Sequence, residues 1–142
     1  MQYLLDTNTC IAVMRNQAQV VARIQCLPPR DCAISTITSF ELLTGIEKCA
    51  QPVQERAKVE ALLKAVSELV YDSAAAHESA KIRAHLELQG MSIGPYDLLL
   101  AGQAIAGGRV LVTHNVREFA RVVGLVIDDW QAATGAAGSM VP

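Results

Sequence analysis

The chain has 142 residues, 51% of them hydrophobic and only 4% aromatic, with 12 basic and 14 acidic side chains for a net charge of −2. That length suits one domain with a substantial core, and the hydrophobic content excludes a disordered or low-complexity polymer. The slightly acidic balance excludes a protein that coats nucleic acid through a strongly basic surface, though not an enzyme that grips it locally.

Residues 2–5, with the apolar run Tyr3-Leu4-Leu5, predict a short buried strand ending at Asp6. Thr7, Asn8 and Thr9 are N-cap candidates for a short helix reaching about Asn16. A second helix through Val20, Val21 and Ile24 must stop before Pro28-Pro29, because a residue ahead of proline resists helical torsions. Cys32-Ala33-Ile34-Ser35 reads as a second strand, and a helix opening near Thr36 or Thr38 carries Phe40, Glu41, Leu42, Leu43 and Ile46. After Pro52, residues Val59, Leu62, Leu63 and Val66 recur at i, i+3, i+4 and i+7, an amphipathic helix pattern. Leu69-Val70-Tyr71 predicts a third strand. Ala76, Ala80, Ala84 and Leu88 recur every four residues along a long helix with Gly90 as its C-cap. The helices between residues 53 and 90 are expected to form a hairpin-like insertion, suited to a dimer surface or a binding arm.

Pro95 fits the first position of a helix running to about Ala106 and stopped by Gly107-Gly108. Val110-Leu111-Val112 predicts a fourth strand, Arg117-Glu118-Phe119 a short helix, and Leu125-Val126-Ile127 a fifth strand. The small, polar stretch 132–142 is expected to be a frayed tail. Short apolar strands alternating with helices predict an α/β fold: a central parallel sheet of about five short strands flanked by helices, in one domain over residues 1–131.

Cys10, Cys26, Cys32 and Cys49 show no C-x-x-C spacing and no nearby histidine, so reduced thiols in a cytoplasmic protein are expected rather than a zinc site. No basic leader precedes a long apolar run, and no apolar stretch approaches the roughly 20 residues that span a bilayer, so neither a secretory signal nor a membrane segment is expected. His77, His85 and His114 are too scattered for a nucleophile–histidine pair, and only His114 falls inside a segment of interest.

That interest comes from carboxylates. In parallel α/β sheets, ligands bind beyond the carboxyl ends of the strands. Asp6 closes the first strand and could cap the next helix or serve a site. Glu41 could be a solvated helix residue or a site acid, with Gly45 one turn later leaving room for close approach. Asp97 stands in a first helical turn, where the helix dipole favours it. Thr113, Asn115 and Glu118 follow the fourth strand and can reach the same crevice, although Thr113 or Asn115 could simply cap the short helix. Converging carboxylates repel one another unless a cation lies between them. Hard oxygen donors favour Mg²⁺ or Mn²⁺ over zinc. Such an ion activates water and stabilises the charge of a phosphorane, which is the chemistry of phosphodiester hydrolysis.

These residues fall in recognisable motifs. Leu4-Leu5-Asp6-Thr7-Asn8 resembles the opening motif of PIN-domain nucleases, and the segment from Ser35 to Gly45, with Glu41-Leu42, resembles their second. Gly94-Pro95-Tyr96-Asp97 resembles the third, and Val112 to Phe119, followed by Gly124-Leu125 and Asp129-Trp130, resembles the fourth motif and close of VapC-type toxins. The resemblance covers nearly the whole chain and implies a PIN-like fold with Asp6, Glu41 and Asp97 as a metal-binding triad. Many relatives carry Asp where this chain has Asn115, so Glu118 is expected to supply the missing carboxylate. One firmly held Mg²⁺, with Mn²⁺ as a substitute and a second ion recruited by substrate, fits that set. The resemblance further implies an RNA substrate such as tRNA, a homodimer, and a VapB-type antitoxin. That antitoxin would form a hetero-oligomer with the toxin, pushing a basic side chain toward the acids, and would supply any contact with DNA. Arg15 or Arg117 could hold phosphates or simply be solvated.

The alternative is a non-catalytic, receiver-like signalling or interaction module. It would want paired acids after the first strand and a lysine after a late one, where this chain has Thr7-Asn8 and Thr113-His114. A haloacid-dehalogenase-like phosphatase would want D-x-D, which Asn8 breaks. The absence of G-x-G-x-x-G removes support for a dinucleotide fold.

Overall fold

The computed structural model describes residues 2–132; the tail expected over 132–142 therefore lies, but for its first residue, outside the described residues. In chain order the elements are β1 (Tyr3–Leu5), α1 (Thr7–Met14), α2 (Ala18–Gln25), β2 (Cys32–Ser35), α3 (Thr36–Lys48), α4 (Pro52–Ala65), β3 (Ser67–Leu69), α5 (Ser73–Leu88), α6 (Pro95–Gly107), β4 (Val110–Val112), α7 (Val116–Phe119) and β5 (Ile127–Asp128). A 3₁₀ turn at Pro29–Asp31 leads into β2.

The five strands form one parallel sheet in the order β3-β2-β1-β4-β5. The chain steps outward from β1 through β2 to β3, then returns across the sheet to β4 and β5 on the other side of β1. Parallel crossovers are right-handed, so reversing the direction of travel moves the helices to the opposite face. Two cores result. Leu5, Cys32, Ile34 and Val112 point toward one, where α1, α2, α3 and α4 contribute Cys10, Val20, Ile46 and Leu62. Their strand neighbours Leu4, Ala33 and Leu111 point toward the other, beneath Leu100, Ala104 and Phe119. The reversal also places a crevice at the carboxyl ends of β1 and β4, the central strands where the winding changes direction.

Several expectations are corrected. β3 begins two residues earlier than 69–71, and Val66 terminates α4 rather than lying within it. β5 is Ile127–Asp128, not 125–127. Both are edge strands, paired on one side only, so their register follows the neighbouring strand instead of an apolar run: Ala33 pairs with Ser67, and Val112 with Asp128. Asp128 is buried because Arg23 Nη2 and Trp130 Nε1 donate to its Oδ2 at 3.1 and 3.2 Å. The helices between 53 and 90 do not form a hairpin insertion. β3 separates them, with α4 against α3 and α1, and α5 along α6.

The α5–α6 contact depends on one glycine. A Cβ on Gly102 would stand 2.7 Å from the backbone nitrogen of Ser79 and 2.8 Å from its Cα, so the helices approach backbone to backbone. The Ser79 hydroxyl also accepts a hydrogen bond from Tyr71 at 2.8 Å. Gly102→Ala should force the helices apart and destabilise the fold by about 1–3 kcal/mol, an overpacking cost that exceeds the gain in helix propensity. The measurement is chemical denaturation; an unchanged or raised midpoint would contradict this packing.

Candidate active site

Asp6 follows Leu5 directly, and its backbone N–H still donates to Val112 O at 3.0 Å, extending the β1–β4 ladder by one rung. Its extended backbone makes it the N-cap of α1, with Oδ1 accepting from the Thr9 N–H at 2.8 Å. The cap is therefore Asp6 itself and not Thr7, Asn8 or Thr9. Capping and site roles coexist, since one oxygen bonded to the helix end leaves the carboxylate facing the crevice. Asp6 is 3% exposed. Burial pushes its pKa upward, while hydrogen bonds from Thr113 and Thr9 pull the other way.

Glu41 is delivered by α3, whose start is set by Ser35: that hydroxyl accepts from the Ile37 N–H at 3.0 Å. The Thr7 hydroxyl donates to Glu41 Oε1 at 2.6 Å, and the buried Thr38 hydroxyl stands 3.3 Å from the same group. Gly45 does not play its expected part, since it is exposed and a Cβ there would meet no atom within 4 Å.

Asp97 sits in the first turn of α6, behind Pro95. Burial, then the charges of Asp6, Glu118 and Glu41, raise its pKa to about 6, while a hydrogen bond from Asn115 opposes the rise. Three carboxylates from β1, α3 and α7 thus act together on a fourth on α6.

Asn115 is the residue whose role the geometry redefines. It occupies the N-cap position of α7 but makes no side-chain cap bond; the Thr113 hydroxyl instead accepts from the Asn115 backbone N–H at 2.9 Å. The Asn115 amide donates to Glu118 Oε2 at 3.0 Å. It therefore tethers Glu118 and steadies Asp97 through its side-chain amide. Glu118→Ala should weaken Mn²⁺ binding by roughly tenfold or more, and Asn115→Ala by less, because only the first removes a charged donor. Calorimetric titration yielding the reverse order would reassign the fourth donor.

The donor chemistry fits a hard divalent ion: four carboxylates, with hydroxyls and an amide behind them. Among the described residues no three His, Cys, Asp or Glu side chains are grouped closely enough to hold a metal ion as they stand. Burial and the charges of Asp6, Glu118 and Glu41 raise the Asp97 pKa; a cation among these oxygens would relieve that repulsion and draw them inward. When bound, it would supply a polarised water and charge stabilisation at phosphorus.

Sequence reasoning missed two contributors. Thr7 positions Glu41, and its place directly after Asp6 was the available signal. Asp129 follows the edge strand β5; its charge raises the Asp6 pKa, and its carboxylate meets His114 Nδ1 at 3.0 Å. His114 is thereby turned toward Asp129 at the rim. Arg15 lines a groove of about 390 Å³ with Asn8, His114 and Asn115, beside the acids. Arg117 is exposed.

Comparison with known proteins places this arrangement in context. The model of the PIN domain family matches residues 3–125. The chain is 40% identical over 130 residues to the tRNA(fMet)-specific endonuclease VapC of Salmonella typhimurium, covering 92% of this chain and 98% of that protein. Its fold superposes with a TM-score of 0.87 on a chain of the DNA-bound VapBC complex of the same organism, at 40% identity over 92% of this chain and 98% of that one. It superposes with a TM-score of 0.88 on a chain of VapBC2 from Rickettsia felis bound to a promoter DNA fragment, at 30% identity over 92% and 100% of the two chains.

Proposed function

Because the chain belongs to the PIN-domain family, among its VapC-type toxins, we propose that it is an endoribonuclease that hydrolyses RNA phosphodiester bonds with Mg²⁺ held by Asp6, Glu41, Asp97 and Glu118. Mn²⁺ would substitute. The observation that carries this reading is that the charges of Asp6, Glu118 and Glu41 all act on Asp97, where burial and these charges raise the pKa to about 6. PIN-domain ribonucleases depend on metal in general, and the all-oxygen donor set here favours Mg²⁺ over softer ions.

Within that chemistry the chain's own residues have distinct tasks. The Thr7 hydroxyl orients Glu41. Thr113 and Thr9 hold Asp6. Asn115 fixes Glu118 relative to Asp97. Arg15, in the groove alongside, is placed to meet a phosphate of the strand. The catalytic unit spans residues 1–131.

The substrate is a structured RNA, tRNA first. The Salmonella relative, named for tRNA(fMet), makes initiator tRNA the first to examine. The partner is a VapB-type antitoxin, because the matching folds were determined as VapBC complexes, two of them on DNA. Contact with DNA would run through that antitoxin. The toxin itself would be a homodimer in the cytoplasm; no helix among the described residues is long and apolar enough to cross a membrane. The receiver-like alternative is set aside by the family match.

The deciding experiment incubates purified protein and Mg²⁺ with total cellular RNA and maps the new ends. One or a few discrete cuts, lost on adding the antitoxin, are expected. Intact RNA at every protein concentration would defeat the reading.

A further inference from the structure

Two exposed aromatic rings stand against each other, each next in sequence to a site acid. Phe40 is 51% and Tyr96 42% exposed, and their centroids lie 5.7 Å apart at 63°. Each directly precedes a site acid: Phe40 precedes Glu41 on α3, and Tyr96 precedes Asp97 on α6. The pair therefore links two elements that both deliver carboxylates. In a chain with only 4% aromatic residues, leaving two packed rings in water on the helices that carry Glu41 and Asp97 calls for an occupant.

We infer that Phe40 and Tyr96 form a stacking platform for an unpaired base of the RNA next to the cleaved bond, an inference that rests on the nuclease reading above. The edge-to-face arrangement holds both rings without help from the ligand, so a base finds a preformed apolar face. Charge argues in the same direction. The protein carries a net charge of −2 and an acidic mouth, so phosphate contacts alone give weak binding. Stacking is indifferent to that repulsion and to salt, and it is the usual means of holding splayed bases of single-stranded or loop RNA.

The test uses an oligoribonucleotide carrying the mapped cleavage site, and the same strand with the base removed at each nucleotide flanking the bond. At fixed Mg²⁺, Phe40→Leu and Tyr96→Leu should each raise KM about tenfold while kcat stays within about threefold, and Tyr96→Phe should restore most of the loss. Base removal at one flanking position should cost the wild type a similar factor and the leucine variants little, because both changes delete the same contact. The salt dependence of binding should not change. Equal losses on intact and base-less RNA would overturn the platform, as would a changed sedimentation mass of the leucine variants, which would identify the rings as a subunit contact. A wild type that cleaves no RNA would remove the nuclease reading and the platform with it. An active wild type indifferent to both base removal and Phe40→Leu would remove the platform alone.

Discussion

Alanine at Asp97 is expected to lower kcat/KM for RNA on the order of 10²–10³-fold or more while the protein stays folded. Burial and the charges of Asp6, Glu118 and Glu41 raise the pKa of Asp97 to about 6. Asp97 also opens its helix, so its removal takes a charge from the centre of the site without touching either core. Asp6→Ala and Glu41→Ala should be similarly inactive, but Asp6→Ala also deletes the N-cap bond to Thr9 and should cost about 1 kcal/mol of stability. Activity on total RNA by the Asp97→Ala protein at the wild-type rate would show that this cluster is not the catalytic centre.

The same residue sets a pH dependence. In metal-free protein the folded-state pKa of Asp97, about 6, lies above its ordinary value of 3.8. The folded state then binds the proton more tightly than the unfolded chain, so stability falls as pH rises through this interval and levels off above it. Asp97→Asn should therefore raise the thermal midpoint in EDTA at about pH 7.5 and change it little at about pH 4, below the range where the two states differ in proton uptake. An equal shift at both pH values would locate the effect in packing rather than charge.

Removing the divalent ion is expected to have the second large consequence. EDTA should abolish cleavage, and excess Mg²⁺ or Mn²⁺ should restore it fully. A readout independent of activity follows from mass action. An ion that binds only the folded state stabilises it by about 2.7 kcal/mol at a hundredfold excess over Kd. The wild type should therefore gain several degrees in thermal midpoint on adding Mg²⁺, and Asp97→Ala should gain little. The gain would arise because the ion would replace repulsion among Asp6, Glu41, Asp97 and Glu118 with shared coordination. Cleavage indifferent to chelator would reject the metal mechanism, and a midpoint rise of equal size in Asp97→Ala would place the ion elsewhere.

Much of this site was legible before the fold was known. Asp6 had to stand at a strand's end because three apolar residues precede it, and Asp97 in a first turn because Pro95 can only open a helix. Other features were hidden. The hydrogen bond from Thr7 to Glu41 spans 34 residues, and the approach of Gly102 to Ser79 brings together two helices whose spacing no local pattern encodes. The edge strands β3 and β5 were misplaced by about two residues, since a one-sided strand takes its register from its neighbour and carries polar residues such as the exposed Glu68 and the buried Asp128, which Arg23 and Trp130 pair.

By itself the sequence determined the alternation of strands and helices, the α/β class, and the four acids with their motif spacing. These rest on local forces: hydrophobic period, proline and glycine torsions, and chain neighbours. Only the tertiary structure decided that the sheet reverses direction beside β1, sending α4 and α5 to opposite faces. It alone turned the Asn115 amide toward Glu118 as a donor. It alone set the Phe40 and Tyr96 rings together, because contacts between distant segments depend on how the elements pack, which a linear pattern does not specify.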